Sequence, residues 1–211
     1  TLVYDSTRWE GFQFRPGDIV ISTPPKCGTT WTQRICALLI LQTPHLDKLA
    51  TQGPRFTTAY CAQPICSPSR AALMTGKAPA RLHLTNYLPG RADAPSQKLL
   101  NPVIEGQLPL EEYTIAEVLK TAGYATACIG KWHLGFLPHF GPLKSGYEEY
   151  YGLMAGGADY FTHRNSTGKH DLYLGEQEYA EDGYMTDLIT RRSIDFIDRM
   201  AEGASGGTPC F

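Results

Sequence analysis

The chain has 211 residues, 42% hydrophobic and 19% charged, a composition that supports one sizeable core or two small ones and excludes a disordered polypeptide. Its formal net charge of -2, with Lys and Arg scattered, gives no basic stripe for nucleic acid and no polybasic patch for a membrane, so an anionic ligand has to be held locally. The longest apolar run, residues 35–41, is far shorter than the roughly 20 residues of a membrane-spanning helix.

In chain order, residues 18–22 (D-I-V-I-S) form a β-branched run closed by Thr23, Pro24 and Pro25, which predicts a buried strand stopped by prolines. A helix is expected next. Thr30 and Gln33 have capping-box spacing, Trp31, Ile35, Leu38 and Leu39 recur at helical spacing, and Pro44 blocks continuation. A short helical turn is expected at 45–50. In C-S-P-S-R, residues 66–70, Pro68 fits a first helical turn with Ser67 as N-cap, so Cys66 is expected at a helix N-terminus.

Residues 79–107, rich in Pro, Gly and Asn, read as loop. Thr114 and Glu117 form a second capping box; Ile115, Val118, Leu119 and Ala122 make the apolar face of its helix, and Gly123 ends it. A strand is expected at 124–129. A last helix is expected from about 182 to 200, with Met185, Leu188, Ile189, Phe196, Ile197 and Met200 on one side. Helices alternating with short strands predict an α/β layer architecture with a mainly parallel sheet and flanking helices.

The six cysteines contain no C-x-x-C pair, which argues against a zinc site or a disulfide framework and leaves the redox compartment open. Asn165, Ser166 and Thr167 spell a glycosylation sequon, a tripeptide that commonly arises by chance. Thr1 stands in place of an initiator Met, and no terminal helix follows Pro209, Cys210 and Phe211, so the sequence reads as a fragment.

Taken singly, Cys66 reads as a small buried hydrophobe and Arg70 as a solvated surface residue. Taken together, C-S-P-S-R and G-K-W-H-L-G (residues 130–135) resemble the two signature motifs of type I sulfatases. The resemblance extends through T-P-H-L-D-K-L-A (43–50), R-F-T-T-A-Y-C (55–61) and S-R-A-A-L-M-T-G (69–76), and covers about residues 43–211. It implies an alkaline-phosphatase-like sulfatase core, here incomplete, and sulfuric ester hydrolysis.

By that resemblance Cys66 is the precursor of a formylglycine nucleophile, made by a formylglycine-generating enzyme, and Arg70 stabilises its hydrate. Lys131 and His133 grip the sulfate. Their alternation in a strand-end segment points both to one face, and an imidazole titrating near working pH suits His133 to protonate the leaving oxygen. The resemblance also implies calcium, with the modified Cys66 among its ligands. Ser22 and Thr23 stand where the family has an Asp pair, and its later carboxylates lie past Phe211, so the expectation is weak calcium binding and impaired hydrolysis in this chain. The implied partner is a sulfate-ester small molecule or a sulfated sugar.

The first 43 residues carry a second resemblance. R-P-G-D-I-V-I-S-T-P-P-K-C-G-T-T-W (15–31) is similar to the PAPS-binding loop of sulfotransferases. In a loop of this kind Gly28 lets the backbone approach a phosphate, Thr29 and Thr30 add hydroxyl donors, and Lys26 neutralises charge. The two patterns meet at Thr43 and Pro44, which reads as a recombined or misassembled join, with segments 1–43 and 44–211. Two alternatives to hydrolysis stay open on the sequence: a PAPS-dependent sulfotransferase and a non-catalytic, anion-binding chimeric fragment.

Overall fold

The structure, a computed structural model, describes residues 44–202 and 207–211. The strand expected at 18–22, the helix after it, and Lys26, Gly28, Thr29 and Thr30 lie outside the described residues. Two compact units are distinguished, Thr1–Ala59 and Tyr60–Phe211. In the first, helix α1 (Pro44–Gln52) places proline at its start, where the missing N–H costs nothing, and it buries none of its residues.

The second unit opens with α2 (Cys66–Thr75), which ends at Gly76 in the left-handed conformation, its N–H returned to the Ala72 carbonyl. A 3-10 turn (Pro79–Leu82) begins the long loop, so the segment expected to be plain loop holds one helical turn. Helix α3 (Ile115–Thr121) starts at the expected capping box. Thr114 Oγ1 accepts from the Glu117 amide, and the Glu117 carboxylate accepts from the Thr114 amide at 2.7 Å. Of its expected apolar face, Ile115 and Val118 are exposed and Ala116 is the buried residue instead.

Strand β1 (Ala127–Lys131) pairs in parallel with β2 (Glu149–Leu153), with Gly130 opposite Gly152. Strands β3 (Tyr173–Leu174) and β4 (Gln177–Glu178) add antiparallel ribbons in the order β1-β2-β3-β4, so the described part of the sheet is mixed. The expected strand at 124–129 starts later than its apolar run: Ala125 bridges in parallel to Cys210, and the ladder to β2 begins at Ala127. Helix α4 (Met185–Ala201) closes the unit, with Met185, Leu188 and Phe196 buried and Ile197 exposed.

Successive residues of a strand face opposite sides of a sheet, and β2 uses both. Tyr150 joins Ala71, Leu82, Leu84, Leu88, Leu108, Trp132 and Leu134 in one cluster, while Tyr151 packs with Leu172, Met185 and Leu188 in the other. The first cluster draws Leu82, Leu84 and Leu88 from the loop, which is therefore part of the core. Each large apolar side chain so buried contributes about 1.5–3 kcal/mol. Arg199 adds a bidentate pair with Glu149 at 2.9 and 2.7 Å, but both groups are half exposed and the pair is worth at most about 1 kcal/mol. No helix of the described residues is long and apolar enough to cross a membrane.

Candidate active site

Cys66 is the first helical residue of α2, and the N-cap is Ile65 rather than the expected Ser67. Ser67 is committed elsewhere: fully buried, its hydroxyl accepts from the Leu88 amide at 3.0 Å, a tertiary bond that ties the helix start to the loop. One turn along, Arg70 reaches the sheet and donates from a guanidinium nitrogen to the Lys131 carbonyl at 2.6 Å. Lys131, the last residue of β1, lies close enough to Cys66 for that side chain to favour the charged ammonium, and it donates from Nζ to the Gly156 carbonyl at 2.6 Å.

Burial holds the Lys131 ammonium below its ordinary range, the Cys66 side chain counters this, and the charge of Arg70 adds to it. Two cations this close repel each other, and an anion between them relieves the repulsion. Each has donors to spare. An ammonium carries three and a guanidinium five, and the contacts above use only part of either set. A cleft of about 450 Å³ opens beside Arg70, lined by Tyr60, Cys61, Ser69 and Leu73. A larger cavity of about 720 Å³, lined among others by Ile129, Tyr151, Arg192 and Arg199, shares no residue with this group.

His133 is 3% exposed. It lies two residues beyond Lys131, in the left-handed region at φ 59°, so it turns out of the strand instead of continuing the simple alternation expected there. Its amide nevertheless prolongs the ladder, donating to the Met154 carbonyl at 3.1 Å. The ring Nε2 lies 2.8 Å from the Leu88 carbonyl oxygen. A carbonyl only accepts, so Nε2 carries the proton and Nδ1, buried and without a hydrogen-bond partner among the described residues, holds the lone pair. Burial lowers the affinity of His133 for a second proton; the Leu88 contact offsets this in part, and Lys131 and Arg70 add to it.

Both side chains meet one short segment after β2. Lys131 donates to the Gly156 carbonyl, and a Cβ built on Gly156 would stand 2.8 Å from His133 Cε1. The sequence-derived set Cys66, Arg70 and Lys131 thus comes together, with the His133 ring against Gly156. What the sequence reading misses is Ser67, Leu88 and Gly156, which act through backbone or tertiary contacts that leave no local pattern. Cys128, within β1 itself, has its thiol pushed up to about 12 by burial and is inert.

Calcium takes roughly six to eight oxygen ligands. Among the described residues no three His, Cys, Asp or Glu side chains come together as a metal-binding group, and the charged groups next to Cys66 are cations. The described residues alone do not fit a calcium ion.

The sulfatase family profile matches residues 2–206. It runs across the Thr43–Pro44 boundary and lends no support to a separate transferase-like segment. Among curated proteins, the chain is 44% identical to N-acetylgalactosamine-6-sulfatase of Canis lupus familiaris over 75% of its own length and 32% of that protein's. It is 37% identical to the Mus musculus protein of the same name, over 74% and 31%. Human arylsulfatase A matches at 45% identity over 53% of the chain and 20% of that protein. The chain therefore spans about a third or less of the curated relatives it matches.

Among solved structures, Ps i-CgsB in complex with k-i-k-neocarrahexaose superposes with a TM-score of 0.64 at 31% identity, covering 80% of this chain and 38% of that one. BT4656 in complex with its substrate D-glucosamine-2-N,6-O-disulfate gives 0.57 at 26%, covering 81% and 28%.

Proposed function

This chain belongs to the sulfatase family, and from that premise we propose that it supplies the nucleophile-bearing part of an active site that hydrolyses sulfate esters of sugars. The observation that carries the proposal is the junction of the two motifs: Arg70, one turn along α2 from Cys66, donates to the Lys131 carbonyl at the end of β1 at 2.6 Å, which brings the Lys131 ammonium beside Cys66.

When Cys66 is oxidised to formylglycine, the hydrated aldehyde supplies the oxygen that attacks sulfur, and its collapse back to the aldehyde releases sulfate. The chain's own residues do the rest. Lys131 and Arg70 receive the sulfate oxygens; a unit charge pair at about 4 Å, at an effective dielectric of about 20, is worth about 4 kcal/mol. Anion binding also relieves the repulsion between the two cations. The first turn of α2 adds unsatisfied amides and the positive end of its dipole at residue 66.

His133 enters neutral, with its Nε2 proton committed to Leu88. In this reading it first takes at Nδ1 the proton that the attacking hydroxyl would give up, and only then has it one to give to the leaving alcohol oxygen. The protonating role read from the sequence is then the second half of a shuttle. A sulfated sugar as substrate is supported by the relatives named N-acetylgalactosamine-6-sulfatase and by the glucosamine disulfate held by BT4656.

The test is a single-turnover experiment. Protein co-expressed with a formylglycine-generating enzyme is mixed with an aryl sulfate, and with N-acetylgalactosamine 6-sulfate, and the freed alcohol is counted per chain. Release that disappears in Cys66→Ala supports the proposal. Equal release from Cys66→Ala overturns it.

A further inference from the structure

Asp171 belongs to neither motif and lies 3% exposed at the far end of the excursion that leaves β2. Its carboxylate accepts from the Ala155 amide, at 3.0 Å to Oδ2 and 3.3 Å to Oδ1, and the neighbouring Met154 amide is near enough to favour the ionised form. These are the first two residues past β2. The next is Gly156.

Both ends of this turn hold the candidate site. The Met154 carbonyl accepts from the His133 amide at 3.1 Å. The Gly156 carbonyl accepts from Lys131 Nζ at 2.6 Å, and its Cα lies against the His133 ring, where an added Cβ would come within 2.8 Å of Cε1. One buried carboxylate is thus linked by a three-residue turn to both side chains.

Burying a carboxylate is costly unless hydrogen bonds repay it. Burial raises Asp171 above the usual carboxylate range, and the Ala155 and Met154 amides pull it back down. An asparagine of the same shape has only one oxygen to offer and would turn an N–H toward a donor. An amide shared between both oxygens calls for a carboxylate.

We propose that Asp171 is a positioning residue for Lys131 and His133: its carboxylate fixes the turn 154–156, and the turn sets where the ammonium and the imidazole stand. The proposal rests on the reading of those two side chains as the anion-binding and proton-transferring pair. Its substitution partner on the site side is Gly156, which acts on the same ring without touching Asp171.

The experiment follows the His133 ring by NMR in protein carrying isotope-labelled histidine, titrated as wild type, Asp171→Asn, Gly156→Ala and Thr114→Ala. The last loses stability at a helix cap away from the turn and controls for destabilisation alone. Asp171→Asn and Gly156→Ala are each expected to move the His133 midpoint upward, toward that of a free imidazole, as the ring loses its enclosure. Thr114→Ala is expected to leave it in place. An unchanged midpoint in Gly156→Ala, or in a folded Asp171→Asn, overturns the proposal, as does an equal shift in Thr114→Ala. If Asp171→Asn does not fold, Gly156→Ala decides. The readout is the ring and not turnover, so its failure leaves the sulfatase reading standing, and a protein without turnover still answers it.

Discussion

The guanidinium of Arg70 donates to the carbonyl oxygen of Lys131 at 2.6 Å, across 61 residues of sequence. That bond joins the helix bearing Cys66 to the strand end bearing the ammonium, so two short motifs become one site. It uses the Lys131 backbone, which leaves the Lys131 side chain to bond the Gly156 carbonyl beside Cys66.

Arg70→Ala is therefore expected to act twice. Loss of a partly buried, charge-assisted hydrogen bond should cost about 1.5–3 kcal/mol, read as a lower urea midpoint with an unchanged slope. Affinity for a sulfate ester, measured by titration calorimetry, should fall at least about tenfold. A change in stability with no change in affinity would confine Arg70 to scaffolding.

Thr114→Ala removes the hydroxyl that caps α3 and that also donates to the Ser145 carbonyl at 2.8 Å from a buried position. A cap alone is worth about 1 kcal/mol, and leaving a buried carbonyl unpaired brings the expected loss to about 2 kcal/mol. Chemical denaturation measures it, and modification of Cys66 should be unaffected.

Gly152→Ala should be the most damaging of these changes. A Cβ at this position overlaps the Gly130 carbonyl across the β1–β2 ladder, and the residue sits at φ +148°. Backbone cannot yield as a side-chain tip can, so we expect a loss above about 4 kcal/mol, or no soluble protein. Circular dichroism and expression yield read the outcome; a stable Gly152→Ala protein would show that the close strand approach is dispensable.

The pH dependence of stability has a sign set by His133. Its affinity for a proton is lower in the folded protein than the ordinary midpoint of 6.5. The unfolded chain therefore takes up the proton first as pH falls. The contribution is complete above the ordinary midpoint and is lost as pH drops through the lower, folded one. Glu149 and Glu181, held low by arginine partners, lose theirs only in the acidic carboxylate range; Asp171, raised by burial, works in the opposite direction. Between about pH 7.5 and 5.5 the urea midpoint of wild type should fall more steeply than that of His133→Leu. Equal slopes would contradict this assignment.

Much of the fold is legible where one residue governs its own neighbourhood. The Thr114–Glu117 box and the last helix follow from local spacing. Legibility fails where a residue bonds far from itself. Ser67 has the chemistry of an N-cap but spends its hydroxyl on Leu88, 21 residues away. Leu82, Leu84 and Leu88 sit in a segment with loop composition and yet complete the core. Gly156 and Asp171 lie in no pattern, because one acts through its carbonyl and the other through an amide 16 residues distant. The motifs identify the chemistry; the contacts that aim it are tertiary.

The most direct test of the account is the chemical state of residue 66 after co-expression with a formylglycine-generating enzyme. Peptide mass spectrometry should find an aldehyde at position 66 that a hydrazide probe captures, while Cys61, Cys128 and Cys210 remain thiols. An unmodified thiol at Cys66 under those conditions would contradict the claim that this residue is the precursor of the nucleophile.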